Sequence, residues 1–155
     1  MRTMTLALVA IAACGLTGCS SEYDSAEMKL RYHPPRGVKL LEEQAGPPRL
    51  ARFTSGLEIR SFDQAPPAIV EDKLEDLLKV VSPDAPGAII SARLGSISAG
   101  KVVRWALKDE AGRTIVYFVP RGSRYLVISM RASEGRYAEL ESQLELSLAS
   151  LRVRD

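Results

Sequence analysis

The sequence predicts an α+β fold: an antiparallel sheet of about six or seven strands flanked by an inserted helix and a C-terminal helix. Short segments in which apolar and polar residues alternate occur on both sides of one amphipathic helical segment. Glycine-containing links of hairpin length join the later strands, and an apolar stripe with helical spacing closes the chain. Strands with separate helical covers are typical of a layered α+β domain.

Residues 1–18 are expected to form a signal peptide. Arg2 precedes an apolar run, Leu6–Leu16, that is too short for a membrane span. The run ends in Leu16-Thr17-Gly18-Cys19, which resembles the lipobox of bacterial lipoproteins, in which the cysteine thiol receives a lipid and the chain is cut before it. This resemblance implies lipid attachment at Cys19, although Cys19 as an ordinary residue after a cleaved signal remains an alternative. Ser20 favours an outer-membrane location facing the periplasm.

The remaining sequence is expected to form one domain. Residues 19–27 are small, polar and acidic and are expected to be a flexible tether, with a single domain over residues 28–155. Cys14 lies in the signal and Cys19 carries the lipid, so no disulfide is expected. A net charge of +2, from 21 Lys and Arg against 19 Asp and Glu, gives no indication of a nucleic-acid partner.

The segment before the first helix predicts four short strands. Leu30–Tyr32 precedes Pro34-Pro35-Arg36-Gly37, a combination that ends a strand and turns the chain. The other three predicted strands are Val38–Leu41, Leu50–Phe53 and Leu57–Phe62. The spacing of the last two predicts a hairpin.

Apolar residues at helical spacing predict a helix over Ile69–Val81, with acidic residues near its start, where the helix dipole favours them. Three or four strands are then predicted, over Ala88–Leu94, Val102–Lys108, Arg113–Val119 and Tyr125–Arg131. Short links containing glycine make the last three antiparallel neighbours. A final helix is predicted over Ser133–Leu151.

The residue pattern of these strands indicates which faces are covered. Val103, Trp105 and Leu107 share one face of their strand. Arg104 and Lys108 share the other, which predicts a solvated side. The segments 115–119 and 126–128 are apolar on both faces and are expected at the sheet centre, between the two helices.

The mature domain resembles the PsbP-like fold over residues 28–152. The resemblance rests on Tyr32-His33-Pro34-Pro35-Arg36-Gly37, on Trp105, on Tyr117-Phe118-Val119-Pro120 and on the closing Ser147-Leu148-Ala149-Ser150-Leu151. Val38 departs from the family pattern, in which an aromatic residue often follows the glycine. The resemblance implies a layered α+β sandwich and a role as an adaptor or assembly factor, although a fold alone does not assign a function.

No pattern in the sequence predicts catalysis, and neither a metal nor a cofactor is expected. His33 is the only histidine and is interpreted as a turn residue, because it has no thiol partner for a zinc site. No serine lies in a Gly-x-Ser-x-Gly context. The small residues 95–100 lack the Gly-Lys-Ser/Thr ending of a phosphate loop and are interpreted as a flexible hairpin connection. Pairs of carboxylates are interpreted as a solvated helix start and a turn.

Arginines and aromatic residues suggest a binding surface for an envelope protein, because both types are enriched at interfaces. The candidate residues are Arg104, Arg121, Arg124 and Tyr125. The alternative interpretation is a merely solvated sheet face. A second functional hypothesis is a periplasmic binder of a small apolar or anionic ligand, in a pocket between sheet and helix lined by Trp105, Tyr117 and Tyr125.

Overall fold

The computed structural model describes residues 22–154, so the expected signal peptide, residues 1–18, and the expected lipid site Cys19 lie outside the described residues. The strands are β1 (Tyr23–Ser25), β2 (Leu30–Tyr32), β3 (Leu40–Gln44), β4 (Arg49–Phe53), β5 (Leu57–Phe62), β6 (Ala88–Ile97), β7 (Gly100–Asp109), β8 (Gly112–Arg121), β9 (Arg124–Ala132) and β10 (Arg152–Val153). The helices are α1 (Leu74–Val81) and α2 (Glu134–Leu148). The α+β class predicted from the sequence is confirmed.

A seven-stranded antiparallel sheet forms the centre of the domain. Its strand order is β3-β4-β5-β9-β8-β7-β6. The strands that are apolar on both faces, β8 and β9, lie in its middle, as their pattern predicts. Consecutive strands of this sheet pair as hairpins except β5 and β6, which are separated in the chain by α1 and lie apart in the sheet, because β5 pairs with β9.

Both faces of the sheet centre are covered, so the prediction of a solvated face on β7 is wrong. Helix α1 packs on the face that carries Val103, Trp105 and Leu107. Helix α2 packs on the other face, against side chains such as Val102, Ile115 and Tyr117. Arg104 therefore lies beneath α2 and is not exposed.

A second sheet joins the two ends of the domain. Its strand order is β1-β2-β10, and β2 pairs with both terminal strands. Tyr23 of β1 is buried, with its ring edge-on to that of Phe53 at a centroid distance of 5.2 Å. The expected tether of residues 19–27 is therefore corrected, because the folded domain already includes Tyr23–Ser25.

Several element boundaries also differ from expectation. The predicted helix Ile69–Val81 is a 3-10 turn, Glu71–Lys73, followed by α1, because Lys73 has a non-helical backbone. The predicted strand Val38–Leu41 begins and ends later, since the Val38 N–H donates to the Pro35 carbonyl in a turn. Strand β6 continues to Ile97, which leaves only Ser98 and Ala99 between β6 and β7.

Candidate functional site

Arg104, one of the four predicted partner-binding residues, is a structural cation under α2. Its side chain is 6% exposed and is hydrogen-bonded and ion-paired to Glu141. Its Nε donates to Tyr117 Oη at 3.2 Å and lies 3.5 Å from a Glu145 carboxylate oxygen. Burial opposes the charged form of Arg104, but interactions with Tyr117 and Glu141 outweigh it, so the pKa of the guanidinium is raised. Through its contacts with Glu141 and Glu145, Arg104 connects α2 to the large sheet.

Arg124 and Tyr125 are buried on opposite faces of β9. Arg124 is 7% exposed and donates to the Met28 carbonyl oxygen. Tyr125 is 2% exposed, stacks on Phe62 at a centroid distance of 4.6 Å, and accepts a hydrogen bond from Gln64. Neither side chain is accessible to a protein partner.

The predicted binding surface is therefore corrected. Arg104, Arg124 and Tyr125 are all buried. They do not form one surface, because Tyr125 lies on the face of the large sheet that packs against α1 and Arg104 lies on the face that packs against α2. Arg121 is the only one of the four that is partly exposed. Arginine and tyrosine are common at interfaces, but in this domain Arg104, Arg124 and Tyr125 lie in the interior. The sequence alone did not reveal that α2 covers Arg104.

The predicted aromatic cleft does not form either. Trp105 and Tyr125 belong to the core beneath α1, whereas Tyr117 faces α2. The Trp105 indole N–H donates to the Leu74 carbonyl oxygen at 2.9 Å, which attaches the start of α1 to the sheet. These aromatic residues position the helices and leave no shared pocket.

The structure points to a different candidate site, the outer edge of β6. Within residues 22–154, β6 is the last strand of the large sheet and no strand pairs with its outer edge. It spans ten residues, most of them exposed or partly exposed, including Ile90 at 51% and Leu94 at 42%. An edge strand of this length presents a row of unpaired backbone N–H and C=O groups.

Cavities lie on both sides of this edge at the same three residues, 94–96. One cavity, of about 340 Å³, lies between β6 and the end of α2 and includes Arg93, Tyr117 and Glu145 in its wall. A second, of about 470 Å³, lies on the α1 side and is lined by Ile69, Glu71, Leu94, Gly95, Ser96 and Lys101. Side chains of an added strand would alternate between the two faces of the sheet and could enter both cavities.

Few features of the sequence indicate this site. The segment 88–97 mixes serine, glycine and arginine with apolar residues, so its alternation is weak and residues 95–97 resemble a loop. A strand with this composition next to strongly apolar neighbours is typical of a sheet edge. The difference in composition between this segment and its apolar neighbours is the sequence feature that could have identified β6 as an edge strand.

The described residues show no arrangement for metal chemistry. No three His, Cys, Asp or Glu side chains within residues 22–154 converge to hold a metal ion. The His33 side chain is half exposed, with Nε2 3.8 Å from Glu22, and its backbone N–H donates to Ser150 Oγ at 2.9 Å. Over the same part of the chain, no helix has the length and apolar character needed to cross a membrane.

Comparisons with known proteins show similarity at the level of structure. No protein-family model matches the chain, and no curated protein matches it in sequence. The chain is similar to the solution structure of cyanobacterial PsbP (CyanoP) from Synechocystis sp. PCC 6803, with a TM-score of 0.61 and 12% identity over 93% of this chain and 99% of that one. It is also similar to a protein from Bacteroides thetaiotaomicron VPI-5482, with a TM-score of 0.57 and 17% identity over 86% of this chain and 48% of that one. This chain thus spans about half of the Bacteroides protein.

The match to CyanoP extends over nearly the full length of both chains. At 12% identity it concerns the fold and not the activity. The chain has the PsbP-like α+β fold.

Proposed function

We propose that this chain is a non-catalytic binding module of the cell envelope, anchored through lipid at Cys19, which recognises an envelope protein at the β6 edge. The partner would supply an extended segment that pairs with β6 as an eighth strand of the sheet. The single observation that carries this proposal is the unpaired outer edge of β6, with a cavity on each face at residues 94–96.

Strand addition suits this edge for two reasons. The backbone groups of β6 supply hydrogen bonds without regard to side-chain identity, and the two cavities supply selectivity for alternate side chains. The walls of the cavities carry charges of both signs, Arg93 and Glu145 on one face and Lys101 and Glu71 on the other. A segment that combines apolar and polar side chains would fit these walls better than a uniformly charged one.

The membrane part of the proposal rests on the residues that precede the described domain. Leu16-Thr17-Gly18-Cys19 resembles a lipobox, and Ser20 favours the outer membrane. More than one acyl chain would make the attachment stable, because each buried methylene contributes about 0.8 kcal/mol.

Photo-crosslinking in intact envelopes tests the β6 edge. A photoreactive amino acid at Leu94 or at Ser96 is expected to give an adduct with the same protein, at residues about two apart in one partner segment, because both positions face the same side of β6. The adduct peptides are identified by mass spectrometry. Leu41, an exposed apolar residue on the opposite edge strand β3, is the matched control and is expected to give no such adduct.

A charge at the edge should prevent the pairing. Leu94→Lys is expected to reduce the adduct from Ser96 at least tenfold, whereas Leu41→Lys should leave it unchanged. No adduct at β6, or an equal yield from Leu41, would overturn the proposal, and an adduct only with a second copy of this chain would replace the envelope partner with self-association. The Cys19→Ala form shows separately whether lipid attachment is required.

The alternative function is the binding of a small ligand between sheet and helix. The cavity between β6 and α2 has a suitable position for such a ligand. Its charged groups are already paired with one another, since Glu145 lies within 3.6 Å of both Arg93 and Arg104. This pairing leaves little unbalanced charge for an anion, so the cavity fits the side chain of an added strand better.

A further inference from the structure

A separate cavity of about 400 Å³ lies at the far end of the sheet from β6, beside the ends of β4 and β5. Its lining residues include Pro47, Pro48, Arg49, Ser61, Phe62 and Asp63. Ser61 connects the cavity to the buried Arg124, whose Nη2 lies 3.2 Å from Ser61 Oγ. One guanidinium therefore lines the cavity, and a second lies directly behind its wall.

Arg124 is a buried cation with few partners. Among the described residues its hydrogen bonds go from Nη2 to the Met28 carbonyl and to Ser61, and neither is a charged group. Its Nε and Nη1 are buried and have no hydrogen-bond partner within residues 22–154. Leaving buried N–H groups of a cation unpaired is costly, so such groups in a native protein call for an explanation, one of which is an ion.

The surroundings of the cavity carry excess positive charge. Asp63 interacts with three cations, Arg49, Arg124 and Lys29, and its own ion pair is with Arg49. The remaining nearby carboxylate, Glu27, is largely exposed and lies 3.7 Å from Arg49 Nε, an atom that makes no hydrogen bond. Burial lowers the pKa of the Arg124 guanidinium, with Asp63 opposing this effect and Arg49 adding to it. Asp63 and Glu27 both pair with Arg49, so Arg124 has no ion pair of its own among residues 22–154.

We propose that this cavity binds a small oxyanion, a phosphate or a carboxylate group, at Arg49 and Ser61 with Arg124 behind them. Guanidinium groups form strong charge-assisted hydrogen bonds with both chemical groups. The anion would supply, near Arg124, the negative charge that this buried guanidinium lacks. This site is independent of the β6 edge, since none of its lining residues belongs to β6 or α2.

Thermal unfolding of the full-length protein tests the site, with inorganic phosphate and acetate as separate probes at ionic strength held constant by chloride. A rise in Tm of about 3 to 8 °C is expected with phosphate at roughly ten times its dissociation constant, and the rise should grow with the logarithm of the phosphate concentration above that constant. A rise with acetate and not with phosphate would identify a carboxylate as the ligand. The absence of a rise in Tm with either probe, relative to chloride at the same ionic strength, would overturn the proposal.

Two variants at opposite faces of β9 provide the comparison. Arg124→Met removes the buried charge and keeps an apolar side chain of similar length, so it should abolish the rise in Tm with phosphate, measured against the Tm of the same variant in chloride. Arg131→Met is the matched control, because Arg131 is exposed on the other face and pairs with Asp109. An undiminished response in Arg124→Met would contradict the site.

An NMR titration of the wild-type protein tests the site even if the variants fail to fold. Side-chain Nε–H resonances of Arg49 and Arg124 in an NMR titration are expected to shift together, with one dissociation constant. If neither resonance moves while Tm rises, the anion binds elsewhere and the proposal fails.

Discussion

Trp105→Ala is expected to lower the free energy of unfolding by about 3 to 5 kcal/mol, the range found when a large buried aromatic side chain is removed. Trp105 is fully buried, lies under α1 and is among the largest side chains of the core. The substitution would leave a cavity between α1 and the sheet and also remove the hydrogen bond to the Leu74 carbonyl. Urea denaturation monitored by far-ultraviolet circular dichroism measures the change.

Trp105→Phe separates packing from hydrogen bonding. Phenylalanine keeps most of the apolar contact but cannot donate to Leu74, so a smaller loss, of about 1 to 2 kcal/mol, is expected. If Trp105→Ala and Trp105→Phe were equally destabilising, the hydrogen bond and not the packing would dominate the attachment of α1. A loss below about 1 kcal/mol for Trp105→Ala would contradict the burial of the indole.

Arg104→Ala is expected to be the second most damaging of the substitutions considered, at about 3 kcal/mol. Its removal leaves Glu141 partly buried without its cation and takes away the donor to Tyr117 Oη. Breaking one side of a buried ion pair costs about 3 to 5 kcal/mol, and the lower end applies because Glu141 remains about a quarter exposed. The same denaturation experiment measures the loss.

The double variant Arg104→Met with Glu141→Leu serves as the compensated form. Apolar residues of similar size can replace a buried ion pair with little loss, so its stability should lie within about 1 kcal/mol of the wild-type value. Strict additivity of the two single changes would mean that Arg104 and Glu141 do not interact, contrary to the hydrogen bond between them.

Most of the fold could be predicted from the sequence because strands and helices of the core have strong periodicity. The double-sided apolar pattern of β8 and β9 placed them at the sheet centre, and the spaced leucines of α2 identified the closing helix. The strands β1 and β10 were missed because they are two or three residues long and depend on each other through β2. The partner of β10 is β2, at the other end of the domain, so no local pattern identifies β10 as a strand.

The candidate sites could not be predicted for a different reason. Alternation in β7 separates its two faces correctly, but it does not show whether a helix covers the charged one. Arg104 was therefore interpreted as exposed, although Glu141 on α2 supplies its partner. Conversely, Leu94 owes its exposure to the absence of a neighbouring strand within residues 22–154, which only the strand order reveals.

The small sheet of β1, β2 and β10 determines which end of the large sheet would lie next to an N-terminal tether. Ser25 donates a hydrogen bond to Glu43 of β3 at 2.7 Å, so the chain enters the domain at the β3–β4 end of the large sheet. From β4 to β6 there are five strand spacings of about 4.8 Å, or about 24 Å. If the proposed lipid holds the chain near this entry point, the β6 edge would lie on the side of the domain that is remote from the membrane. An extended partner segment could then reach β6 without crossing the lipid surface.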